Sequence, residues 1–102
     1  MEWNTFDINY TGTAALTTIG IYPELIGKQM VVFSKDDGSA QVIVHNIGDG
    51  SVCDGRNTFI SSDNKYNTCR EFTVNFNTGE VKHRQQTVSG SSYYTYTKVK
   101  YR

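Results

Sequence analysis

Excess charge is missing from this chain: ten basic and ten acidic side chains cancel, and no run of like charge is longer than Asp36-Asp37. A field able to capture nucleic acid or an anionic membrane non-specifically is therefore not encoded. No stretch approaches the roughly 20 apolar residues of a membrane-spanning helix, and no basic, apolar and small-residue leader precedes the domain. The good helix formers Ala, Leu, Glu and Lys are thin, whereas Thr, Ser, Asn, Gly and Tyr are plentiful. Such a balance favours strands and turns over helices.

Motifs are scarce as well. Two cysteines separated by fifteen residues supply neither the close-paired ligands of a zinc site nor a CxxC redox motif. No GxSxG elbow supports a serine nucleophile. Asp36-Asp37-Gly38, Asp49-Gly50 and Asp54-Gly55 lack the alternating ligands and terminal Glu of a calcium loop, and turn chemistry accounts for them. No cofactor and no metal are expected. No repeat, low-complexity tract or linker divides the 102 residues, which are too few for two ordinary cores, so one domain over 1–102 is expected.

What the chain does contain reads as strands. Phe6, Ile8 and Tyr10 alternate with Thr5, Asp7 and Asn9, the pattern of a half-buried strand, with Trp3 leading into it. The β-branched segment 13–22 is read as a second strand. Pro23 at a first helical position and Gly27 at a stop allow at most one short helical turn near 23–27. Residues 30–33 and 40–45 flank a turn at 34–39, where Asp37-Gly38 tolerates positive φ, and form a hairpin. In a second hairpin Phe72, Val74 and Phe76 face one way, Asn77-Thr78-Gly79 turns, and 80–88 returns. Residues 89–92 then turn into a last strand, 93–101. The return strand is far more polar than its partner, which points to a sheet edge or a largely solvent-facing position. The pattern predicts an all-β fold, a small antiparallel β-sandwich or barrel of about seven strands.

A domain of this size buries only roughly 60 to 70 per cent of the surface its unfolded chain exposes, so a covalent staple would help it. Between Cys53 and Cys69 only Phe59, Ile60 and Tyr66 are candidates for burial, and the segment reads as a polar loop. A Cys53–Cys69 disulfide tethering that loop is expected, worth about 3 kcal/mol of chain entropy; the alternative is two free thiols acting as small apolar fillers. An extracellular or oxidising location follows, and the sequon Asn9-Tyr10-Thr11 is consistent with it. Met1 before Glu2-Trp3-Asn4 has two readings, a cytosolic start or a start that replaces a removed signal peptide, and composition favours the second.

The most distinctive functional feature is the tyrosine run at 93–101. On a strand, Tyr94, Tyr96, Lys98 and Lys100 line one outward face, which offers flat amphipathic area followed by two cations. The competing reading makes these tyrosines half-buried cross-strand partners with snorkelling lysines. The expected function is a small secreted, non-enzymatic recognition protein, of effector, toxin or inhibitor type, that binds a protein or glycan partner through this face. One alternative is a carbohydrate-binding module that stacks sugars on Trp3 or the tyrosines. A second is a small secreted ribonuclease or hydrolase, which requires His45, Glu71, Glu80, His83 and Arg84 to converge from separate strands. Strand alternation already sets His83 on the face opposite Glu80 and Arg84.

Overall fold

The computed structural model describes residues 2–49, 51–65, 67–88 and 93–102. Eight strands form two four-stranded antiparallel sheets that face one another: β1 (Asn4–Thr11), β2 (Thr17–Ile21), β3 (Met30–Ser34), β4 (Val42–His45), β5 (Cys53–Ile60), β6 (Asn67–Val74), β7 (Glu80–Val88) and β8 (Thr95–Tyr101). The first sheet runs β1-β8-β3-β4 and the second β2-β7-β6-β5. The fold is an all-β sandwich, as the sequence predicts. The helical element found among the described residues is a 3-10 turn at Pro23–Leu25.

Both expected hairpins form. Val31, Val32 and Phe33 pair with Val44, Ile43 and Val42 across the first turn. Phe72, Val74 and Phe76 are all buried ahead of the second. Gly79 closes that turn at φ +81°, where a Cβ would stand 2.3 Å from the Tyr22 carbonyl oxygen, so the position requires glycine for both conformation and space. The two sheets meet at Phe33 and Phe72, whose rings stack with centroids 3.9 Å apart. Burying side chains of this size stabilises the fold by roughly 1.5–3 kcal/mol each. Phe72 also meets Tyr96 edge-on at 4.8 Å, which makes Tyr96 part of the core.

Four expectations are corrected. The segment read as a polar loop is a strand, β5, paired with β6 from Cys53↔Val74 to Ile60↔Asn67. Its glycine and asparagine disguised it, because ladder hydrogen bonds to β6 supply what its side chains do not. That register also rules out the Cys53–Cys69 disulfide, and both thiols are free. Cys53 sits opposite Val74 and Cys69 opposite Thr58, five rungs apart. By strand alternation they point to opposite faces of the sheet, far outside the Cα separation of less than about 7 Å that a disulfide allows. Tyr66, the third burial candidate of that segment, lies outside the described residues, as does the expected turn at 89–92.

The polar strand β7 is the third correction. It lies between β2 and β6 rather than at an edge. Lys82 and Arg84 occupy its outer face, while Val81, His83 and Gln85 are fully buried. Gln85 is held there by hydrogen bonds: its backbone N–H donates to the Thr13 carbonyl at 2.8 Å, and its side-chain carbonyl accepts from the Tyr94 N–H at 3.0 Å. The strand expected over 13–22 is confined to β2, since Thr13 and Thr17 both donate to the Ala15 carbonyl and hold 13–16 in a local turn.

Candidate functional site

The expected outward face of Tyr94, Tyr96, Lys98 and Lys100 is divided. Tyr96 and Val99 are both fully buried, a spacing of three that breaks strand alternation. The break coincides with the register irregularity between β1 and β8 at Asp7/Tyr10. Tyr96 is therefore not available at the surface. Lys98 and Lys100 do share the outer face of the first sheet, where Lys98 pairs with Asp7. Tyr94 precedes β8 and lies half-buried elsewhere, at one end of the sandwich.

The acid and base groups do not converge. Glu71 and Arg84 are cross-strand partners on the outer face of the second sheet. There the Glu71 carboxylate accepts from Arg56 at 2.9 Å and from Arg84 at 3.3 Å. Burial works against its charge, yet the two guanidinium groups outweigh that and hold its carboxyl below the usual range. Glu80 is on the same outer face, beside Lys82 at 3.7 Å. His83 points the other way, into the core, and His45 belongs to the other sheet, opposite Met30. Trp3 has the Arg102 guanidinium over its ring at 4.4 Å, so a sugar stacking there would compete with that cation.

The structure draws attention instead to the far half of the β5–β6 hairpin. At Gly55 β5 passes tightly against β4: a Cβ there would lie 2.0 Å from the Ile43 carbonyl oxygen. Beyond it the hairpin outruns the short strand β4. Along the inward-facing positions of β5, cover is lost step by step, from buried Cys53 and Gly55, through half-buried Asn57, to Phe59 at 55% exposure. Positions that would be core in a fully covered sandwich here border a groove of about 440 Å³, lined by Ala40, Asn57, Phe59, Arg70 and Tyr94.

Arg70, Asn57 and Tyr94 are each held by a neighbour. The Arg70 guanidinium lies over the Tyr94 ring at 4.5 Å, and its Nη1 donates to the Asn57 side-chain carbonyl at 3.2 Å. Asn57 Nδ2 donates to the Gln41 carbonyl at 3.1 Å, which ties the hairpin to the β3–β4 loop. From that loop Ser39 shares a 2.9 Å hydrogen bond with the Tyr94 hydroxyl, and Lys35 Nζ stands 5.0 Å from the same ring. Among the described residues no carboxylate forms an ion pair with Arg70 or Lys35. Sequence reasoning singled out Tyr94 but missed Arg70, Asn57 and Phe59, because it read β5 as a loop and so had no inner face on which to place them.

The core also holds a buried polar group with no hydrogen-bond partner among the described residues. His83 is fully buried among Phe72, Tyr10 and Tyr96, at ring-centroid distances of 4.3, 5.2 and 5.2 Å. Neither of its ring nitrogens has a hydrogen-bond partner among the described residues, and the same is true of the Tyr10 and Tyr96 hydroxyls. Burial, reinforced by the Arg70 charge, pushes the His83 pKa down to about 4, with Glu71 opposing. The imidazole is therefore neutral near pH 7.

Comparison of the chain with protein-family models, with curated proteins and with solved structures finds no match.

Proposed function

We propose that this domain is a non-catalytic recognition module whose contact surface is the groove under the β5–β6 overhang. The observation that supports this most strongly is the exposure of Phe59 on the inward face of a sandwich strand. A ring on that face is ordinarily covered by the opposing sheet, and leaving it in water forgoes about 1.5–3 kcal/mol of burial that a bound partner would recover. Next to it, Tyr94 and Arg70 are pre-positioned by Ser39 and Asn57. Rigid aromatic and arginine side chains beside an apolar anchor are the types that carry binding energy at protein interfaces. A partner entering the groove would meet fixed groups and lose little affinity to ordering them.

With both thiols free, the expected Cys53–Cys69 disulfide lends no support to an oxidising compartment. Secretion now rests on composition and the Asn9 sequon alone, and the recognition reading does not depend on it.

The test is a screen of displayed peptides and arrayed glycans against the intact domain, repeated with Phe59→Ala. Ligands that are selected by the intact domain and lost by the variant support the groove as the recognition surface. Ligands retained equally by Phe59→Ala would overturn it.

A further inference from the structure

We infer that the groove contains an oxyanion subsite centred on Arg70 against Tyr94, with Lys35 on the loop beside that ring, so that the partner carries a carboxylate, sulfate or phosphate group beside an apolar one. This rests on the recognition reading and specifies the chemistry of the partner. Two cations approach one tyrosine ring, at 4.5 and 5.0 Å from its centroid, and so stand no further apart than the sum of those distances. On the other face of the same sheet two cations, Arg56 and Arg84, share the Glu71 carboxylate. Here no carboxylate forms an ion pair with either cation among the described residues. Asp36 accepts from the Thr97 hydroxyl and Asp37 from the Ser39 N–H, each at 2.9 Å; both carboxylates keep their charge, Asp37 within electrostatic reach of Lys35 and Asp36 of Lys98, which leaves Arg70 as the cation with no acid of this loop matched to it.

The orientation of Arg70 strengthens the case. Asn57 holds one end of the guanidinium through Nη1, and Tyr94 holds its plane. Its Nε is buried with no partner among the described residues. The fork is therefore fixed by an aromatic face and an amide rather than by an acid, which leaves its charge uncompensated. A positioned guanidinium is the preferred donor for oxyanions, and Lys35, on the mobile stem typical of lysine, adds attraction without setting geometry. Phe59 on the opposite lip supplies contact for the apolar portion.

The experiment uses the intact chain, labelled with 15N, titrated separately with acetate, sulfate and inorganic phosphate at constant ionic strength against chloride. At least one oxyanion is expected to give saturating shifts at the Arg70 Nε–H, the Asn57 side-chain amide and the Tyr94 N–H, with chloride giving none. Saturation by acetate assigns a planar carboxylate, and saturation by sulfate or phosphate assigns a tetrahedral group. Arg70→Gln should abolish saturation, and Lys35→Gln, a loop substitution, should weaken it by about threefold to tenfold, or about 0.7–1.4 kcal/mol. Non-saturating drift with all three anions, or saturation that survives Arg70→Gln, would overturn the inference. If Arg70→Gln does not fold, an unchanged Lys35→Gln midpoint overturns it instead. The Phe59→Ala screen is separate: retained ligands there would sink the recognition reading while saturable anion binding stood, and the converse result would leave an uncharged partner in the groove.

Discussion

Gly55 lies against the backbone of Ile43 in the opposing sheet, with room for a glycine hydrogen and none for a methyl group: a Cβ on Gly55 would lie 2.0 Å from the Ile43 carbonyl oxygen and 2.7 Å from its carbon. The obstacle is backbone, which cannot rotate aside. Gly55→Ala should therefore push β5 off β4 and destabilise the domain by about 2–3 kcal/mol, in the upper part of the overpacking range. Urea unfolding measures this, and a loss of under about 0.5 kcal/mol, the scale of an ordinary surface change, would show that the contact is looser than described.

The two cysteines should behave as strangers. Cys69 is half-buried on the outer face and Cys53 is 4% exposed in the core. Under native conditions an alkylating reagent is expected to label Cys69 first, with Cys53 reacting only on unfolding. Non-reducing mass spectrometry should find the full complement of thiol hydrogens. A mass lower by two hydrogens, with both residues in one linked peptide, would contradict the β5–β6 register.

Tyr96 provides a paired test of where the tyrosine run lies. Its ring is fully buried, so Tyr96→Ala should cost about 3–5 kcal/mol, as large aromatic truncations in cores do. Its hydroxyl has no partner among the described residues, so Tyr96→Phe should be neutral or stabilising by up to about 1 kcal/mol. A small effect of the alanine substitution in thermal unfolding would return Tyr96 to the surface.

Stability should fall with acid in a particular window. His83 has a folded pKa of about 4 against the ordinary histidine value of 6.5, so between those values the unfolded chain binds the extra proton. The stabilisation of the neutral form is complete above pH 6.5 and declines as the pH falls to about 4, by about 3 kcal/mol in all. The groups facing the imidazole are Tyr10 from β1, Tyr96 from β8, and Phe72, with the charges of Arg70 and Glu71, from β6. His83→Phe should flatten this part of the curve in urea unfolding at a series of pH values, and an unchanged slope would contradict the burial of His83. An oxyanion that neutralises Arg70 should raise the His83 pKa, and by reciprocity acid should tighten that anion.

Much of this fold is legible in residue patterns. The two hairpins with apolar flanks, the Pro23 turn and the Phe6-Ile8-Tyr10 alternation all stand where their periodicity puts them. Strand β5 was not legible, because Asp54, Gly55, Arg56 and Asn57 carry almost no strand propensity. They extend because β6 is already committed beside them and Gly55 fits under Ile43, which are tertiary facts. The same gap hid the groove. Tyr94 was visible as an aromatic, but its meaning depends on Arg70 and Phe59, which reach it only once β5 and β6 are paired. The interior place of β7 was concealed for a different reason: His83 and Gln85 look like solvent-facing residues, and one is buried neutral while the other is tied to the backbone.

The central claim is that the domain recognises its partner through the overhang groove. It is tested most directly by calorimetric titration of a ligand selected on the intact domain, into the intact domain, Phe59→Ala and Ile21→Ala. Both residues are exposed, at 55% and 64%, but Ile21 lies on β2, at the opposite edge of the same sheet. The account predicts at least about a tenfold loss of affinity, about 1.4 kcal/mol, for Phe59→Ala, and less than about a twofold change for Ile21→Ala. Equal affinity of Phe59→Ala and the intact domain, or a loss confined to Ile21→Ala, would contradict it.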